Sequence, residues 1–141
     1  MTRIDFYILN KNARHDRFVT SCRITEKAWS QQRRIMIHTN SEQEARHMNQ
    51  LLWTFRDQSF IPHELLPRAD LKTTPVIIGW GSDAAEECDV LINLATEIPP
   101  FFSRFERLVE IVGKDPAQKQ VSRDHYRYYQ ERGYPLANYK L

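Results

Sequence analysis

Pro75-Val76-Ile77-Ile78-Gly79-Trp80 and Asp89-Val90-Leu91-Ile92-Asn93-Leu94 decide the fold. Each is short and apolar at consecutive rather than alternate positions, as in a strand buried on both faces of a parallel sheet with helices above and below it. Toward the N-terminus, Arg34-Ile35-Met36-Ile37-His38 reads as another short strand. Arg3-Ile4-Asp5-Phe6-Tyr7-Ile8-Leu9 reads as the first, closed by the turn formers Asn10-Lys11-Asn12. Between these two, from about Ala13 to Gln32, Phe18, Cys22, Thr25 and Trp29 recur at spacings of four, three and four, which stacks them on one helical face.

Thr39-Asn40-Ser41 opens a second helix: Ser41 and Glu44 have capping-box spacing, and Ala45, Met48, Leu52 and Phe55 form its apolar stripe. Residues 56–74 hold Pro62 and Pro67 without a sustained period and read as a long connection, a class commonly functional or mobile. Residues 82–87 read as an acidic turn, Pro99 to Phe105 as a short helical piece and Arg107 to Val112 as a fifth strand. The last helix begins near Pro116, which suits the first helical position, and stops at Gly133, which suits the residue after a C-cap. The alternation predicts a three-layer α/β/α domain with a mainly parallel sheet.

The length of 141 residues fits one domain, 1–141, on a prior of roughly 100–200 residues per domain. A hydrophobic fraction of 41% supplies a core, while 27% charged residues and a mean hydropathy of −0.61 give a water-facing exterior. No apolar run nears the roughly 18 residues that spanning a bilayer requires. Met1-Thr2-Arg3-Ile4-Asp5 puts a carboxylate where a secretory apolar region would start, so a cytoplasmic location is expected. Cys22 and Cys88 form no CxxC pair and are expected to be reduced and buried. The net charge of +2 is unevenly spread: residues 1–34 carry 8 basic and 3 acidic side chains, 35–113 carry 6 and 12, and 114–141 carry 6 and 3. Basic ends of this size can read an acidic peptide or touch phosphates locally, whereas winding along DNA needs a longer stripe.

The turn after the first strand, where such folds hold nucleotides, is Asn10-Lys11-Asn12-Ala13-Arg14 and contains no glycine. The four glycines, at 79, 81, 113 and 133, form neither GxGxxG nor GxxxxGK[ST], so the topology is Rossmann-like without a phosphate-binding loop. Binding of ATP or NAD rests on fold analogy alone. His63-Glu64 lacks the second histidine of a zinc hydrolase, because position 67 is proline. The histidines at 15, 38, 47, 63 and 125 show no ligand spacing, and those on helices read as surface or boundary residues. Asp83, Glu86, Glu87 and Asp89 read as a solvated acidic turn, and neither cysteine has an adjacent base. Enzyme function, metal and cofactor are therefore not expected.

In the last helix, at 100° per residue, Ala117, Val121 and Tyr128 fall within roughly 40° of one another and are expected to face the sheet. Lys119, Arg123 and Arg127 follow at i, i+4 and i+8 on the other side, with Tyr126 about 20° from Lys119. A basic row with a ring among its cations suits carboxylates beside an apolar side chain. The same row also reads as a solvated helix face, or as a stacking site for single-stranded nucleic acid on Tyr126. A second surface combines Leu52, Trp53 and Phe55 with Phe60 and Ile61. Trp53 lies one residue off the buried stripe and Phe60 sits in irregular chain, so the pair reads either as exposed anchors for a protein partner or as a satellite core under the loop.

Several segments, in order, carry a resemblance: Asp5-Phe6-Tyr7-Ile8-Leu9, Leu52-Trp53, Ser59-Phe60-Ile61-Pro62-His63, Pro75-Val76-Ile77-Ile78, Asp89-Val90-Leu91-Ile92-Asn93-Leu94, and Tyr126-Arg127-x-Tyr129-x-x-x-Gly133-Tyr134. Over nearly its whole length the chain resembles the chi subunit of bacterial DNA polymerase III holoenzyme, a clamp-loader accessory subunit. The resemblance implies a non-catalytic α/β domain without cofactor and with two partners. One is the acidic, phenylalanine-ended C-terminal tail of single-stranded DNA-binding protein (SSB), at Lys119, Arg123, Tyr126 and Arg127, with Val112, Gly133 and Tyr134 lining the pocket. The other is the psi subunit, at Trp53 and Phe60. DNA would be reached only indirectly, through SSB.

Overall fold

In the computed structural model, which describes residues 1–58, 60–66, 73–81 and 89–141, seven strands form one sheet and every pairing is parallel. In chain order the elements are β1 (Arg3–Ile8), α1 (Arg17–Ser30), β2 (Ile35–Thr39), α2 (Glu42–Thr54), β3 (His63–Leu65), β4 (Val76–Trp80), β5 (Val90–Asn93), a 3₁₀ turn (Phe102–Arg104), β6 (Arg107–Val112), α3 (Pro116–Glu131) and β7 (Leu136–Lys140). The strand order is β3-β4-β2-β5-β6-β1-β7. The expected acidic turn at 82–87, Cys88, Ser59 and Pro67 lie outside the described residues.

Strand alternation divides the core into two layers. On one face Ile35, Ile37, Val76, Ile78, Val109 and Ile111 meet Cys22 and Ala28 of α1 and Ala45, Met48 and Leu52 of α2. On the other, Ile4, Phe6, Met36, Ile77, Leu91 and Leu108 meet Phe101, Phe102, Phe105 and Tyr129. This is the expected three-layer α/β/α arrangement. Ser41 caps α2 by accepting from the Glu44 amide at 3.2 Å, and Glu44 reaches back to the amide of Asn40 at 2.9 Å.

Four readings need correction. The first helix starts at Arg17, not near Ala13, because the Asp16 carboxylate caps it by accepting from the Val19 amide at 2.9 Å. The long connection contains β3, which pairs with β4 in register His63↔Val76. The five-strand reading, which assigned no element after α3, also omits β7, which forms at the sheet edge beside β1 in register Phe6↔Asn138. Finally, α3 does not pack through Ala117, Val121 and Tyr128: Ala117 is exposed and the other two are half-buried, whereas Ser122, His125 and Tyr129 are buried. The reason is a buried acid beneath the helix, Glu110 of β6, only 1% exposed, which requires hydrogen-bond donors opposite it. His125, read as a surface or boundary residue, is one of those donors.

Candidate functional site

Glu110 sets the orientation of α3. Its Oε2 accepts from Tyr129 Oη at 2.7 Å, Asn93 Nδ2 at 3.2 Å and His125 Nδ1 at 2.9 Å. The second ring nitrogen of His125 lies 2.9 Å from the Thr96 carbonyl oxygen. Both partners of the ring are acceptors, an arrangement that the doubly protonated imidazolium satisfies. Burial alone would disfavour that charge, but the hydrogen bond and charge of Glu110 outweigh it and hold the His125 pKa above its ordinary value. Burial, with Glu110 alongside, pushes the Tyr129 phenol up. Two turns before His125, Gln118 accepts from the Gly113 amide and donates to Ser122 Oγ at 2.9 Å.

With Gln118, Ser122, His125 and Tyr129 facing inward, Lys119, Arg123 and Arg127 point to solvent and all three are exposed. None has a hydrogen-bond or ion-pair partner among the described residues. Beside the helix, β1, β6 and β7 extend past it and leave a cleft of about 350 Å³. Phe6, Ile8 and Val112 contribute apolar side chains to it, Asn138 of β7 flanks them, and Lys119, Ser122, Arg123 and Tyr126 line it from α3. Tyr126 is half-buried, its ring centroid 5.1 Å from that of Phe6. An apolar floor with two unpaired cations can take an aromatic or aliphatic side chain together with a carboxylate.

The structure therefore brings together Val112, Lys119, Arg123 and Tyr126, and adds Phe6, Ile8, Ser122 and Asn138. Arg127, Gly133 and Tyr134 do not line the cleft. Gly133, at φ 77°, ends α3 about 15 Å along the axis from Arg123, and Tyr134 packs on Phe102 with centroids 5.2 Å apart. The strand period carried a usable signal for Phe6 and Ile8, which share one face of β1; Asn138 had none, because β7 was not foreseen.

At the far end of the sheet, Trp53 is 53% exposed and Phe60 74% exposed. His63 lies within 2.6 Å of the Ile61 carbonyl oxygen and 3.1 Å of the Asn49 carbonyl oxygen, tying the loop to α2, and the Trp53 ring rests on it with centroids 4.5 Å apart. Trp53 and Phe60 are thus exposed rather than a satellite core. In the strand order β3-β4-β2-β5-β6-β1-β7, the edge strand β3 beside this surface and the β6–β1 floor of the α3 cleft are four to five strands apart, about 19–24 Å of sheet. Burial pushes the Cys22 thiol up to about 12, so it carries no thiolate at neutral pH. Among the described residues no group of three or more His, Cys, Asp or Glu could hold a metal ion, and no helix is long and apolar enough to cross a membrane.

A wholly parallel α/β/α sheet, a glycine-free turn after β1, a lateral cleft with unpaired cations and an exposed aromatic pair define an α/β domain without a phosphate-binding loop. The family described as DNA polymerase III chi subunit, HolC, matches residues 1–137, and the chain belongs to that family. It is similar to DNA polymerase III subunit chi of Pseudomonas aeruginosa, 38% identical over 141 residues, covering 100% of this chain and 98% of the relative. It is also similar to the subunits of the same name from Haemophilus influenzae, 32% identical over 133 residues with 94% and 92% covered, and Escherichia coli, 28% identical with 96% of each covered. The chain is accordingly a replication accessory subunit that partners with the DNA polymerase III assembly.

Proposed function

We propose that residues 1–141 act as one non-catalytic, cytoplasmic domain, without cofactor, that links SSB to the polymerase assembly. The observation that carries this reading is the α3 cleft, in which unpaired Lys119 and Arg123 stand over Phe6, Ile8 and Val112. The acidic SSB tail ends in an aromatic ring next to a carboxylate. The ring would enter the apolar floor beside Tyr126, the terminal carboxylate would pair with Arg123 and Lys119, and Arg127 would meet acidic groups further up the tail. Gly133 and Tyr134 would act by closing the end of the helix rather than by touching the ring. Through this cleft the contact with DNA is indirect, by way of SSB. Much of the attraction is exposed electrostatics, so each contact is modest and salt-sensitive, and many tails on one coated strand supply avidity.

Trp53 and Phe60 are the anchors for psi. Their separation from the cleft by most of the sheet width supports simultaneous holding of both partners. Titration of an SSB-tail peptide tests the first assignment. Arg123→Glu replaces attraction by repulsion at an exposed position and is expected to weaken binding at least about tenfold with the thermal midpoint unchanged. Unchanged affinity would reject it.

A further inference from the structure

β1 has a second open flank. α1 packs over β6 and β2, and on that face of the sheet, opposite the α3 cleft, a trough of about 570 Å³ runs beside α1. Five cationic side chains line it, and no carboxylate side chain does. Two of them belong to strands: Arg107 pairs with the buried Asp5 carboxylate at 2.6 Å and donates to Tyr7 Oη at 2.6 Å, and Arg3 lies 3.3 Å from the same carboxylate. Asp5 therefore offsets charge at Arg3 and Arg107 only. The other three, Arg14 before α1 and Arg23 and Lys27 on it, are exposed and have no hydrogen-bond or ion-pair partner among the described residues.

The placement of the three free cations discriminates between anions. Arg23 and Lys27 stand one helical turn apart and Arg14 precedes the helix, so charge is strung along the trough instead of converging on a point. A compact polyphosphate needs converging backbone amides, and the turn between β1 and α1 has no glycine to provide them. A strung-out row suits a polymer with one charge per unit. The floor residue Tyr7 stacks on Tyr139 of the edge strand, with centroids 5.0 Å apart and planes 23° apart. Tyr139 is itself exposed, which offers a ring face to a planar base. An acidic peptide would use the cations and leave that face idle.

We propose that this trough is a direct contact for a short segment of single-stranded nucleic acid, with phosphates on Arg14, Arg23 and Lys27 and a base stacked on Tyr139. The basic side chains of residues 1–34, which the tail cleft leaves unused, acquire a role, and the two ligands occupy opposite faces of β1.

Fluorescence anisotropy with a labelled oligo-dT strand and the full chain, in the absence of SSB, tests the proposal. Three neutralised phosphates give a slope of log affinity against log salt near −2, or a loss of roughly twentyfold between 50 and 200 mM salt. Replacing Arg23 and Lys27 by Gln should flatten that slope toward −1, and Tyr139→Ala should weaken binding at any salt concentration. The pair Lys119→Glu and Arg123→Glu should leave it unaltered, which separates this contact from the tail site. A thermal melt of each variant confirms that it is folded. Absence of binding at 50 mM salt, binding indifferent to Arg23→Gln and Lys27→Gln in folded protein, or displacement of the oligonucleotide by an acidic peptide equal in charge would overturn the proposal.

Discussion

β1 separates two grooves of opposite character. On the α3 side its even-numbered residues, Phe6 and Ile8, make an apolar floor. On the α1 side Asp5 and Tyr7 point the other way, into an arrangement with Arg3 and Arg107. Both grooves carry unpaired cations at the rim, so charge alone does not distinguish them. The floor does: an apolar floor rewards a buried side chain beside the anion, whereas an ionic floor rewards only charge and an exposed stacking face. A period of two along six residues is enough to produce both surfaces.

The contrast can be broken from the α3 side. Replacing Glu110 by Gln leaves the imidazolium of His125 without its buried counter-charge, and breaking a buried pair in this way costs about 3 kcal/mol. The thermal midpoint should fall by about 10 °C. Tail binding should fall with it if the protein is assayed near the new midpoint, and return when it is cooled. A smaller effect is expected from pH. Because the folded His125 pKa lies above its unfolded value of about 6.5, the stabilisation is fully present below that value and is lost as pH rises through the raised folded value. Denaturant melts across that range should show the loss in the wild type and not in His125→Gln.

Two further substitutions sharpen the comparison without touching the core. Ile8→Glu, at a half-buried position of the apolar floor, should weaken tail binding about tenfold, because a carboxylate there opposes the ligand's own. Binding in the α1 trough should not change. At the other sheet edge, Phe60→Ala should reduce co-purification with psi or the clamp loader and leave tail affinity unaltered, since the side chain is exposed and lies at the far end of the sheet. Retained co-purification would place that partner elsewhere.

The strands that made the fold legible are the ones buried on both faces. Val90–Asn93 is the central strand and Val76–Trp80 is an interior strand flanked on both sides, and both are apolar throughout apart from the terminal Asn93, a signal that nothing in the local sequence contradicts. Leu136-Ala137-Asn138-Tyr139-Lys140 is an edge strand whose residues are half-buried or exposed, so burial did not write a pattern into it. The inward face of α3 was hidden for a different reason. Amphipathic reasoning assumes an apolar partner, but α3 packs on Glu110, and the residues that satisfy a buried carboxylate are Tyr and His rather than Ala and Val. The outward face was legible all the same: Lys119, Arg123 and Tyr126 meet at the cleft because their spacing alone places them on one side of the helix. Arg127 was placed on that side by the same spacing but lies a turn beyond Arg123 and does not line the cleft, whereas Gly133 and Tyr134 came from resemblance and sit at the end of the helix, away from it.

Chemical-shift mapping of the amide and methyl signals during titration with a short acidic peptide ending in phenylalanine tests the central claim most directly. The expected result is a contiguous set of shifts at Ile8, Val112, Arg123 and Tyr126, with Arg23 and Lys27 unmoved and no effect from the same peptide lacking its last residue. Shifts confined to the α1 trough, or equal shifts with the truncated peptide, would contradict it.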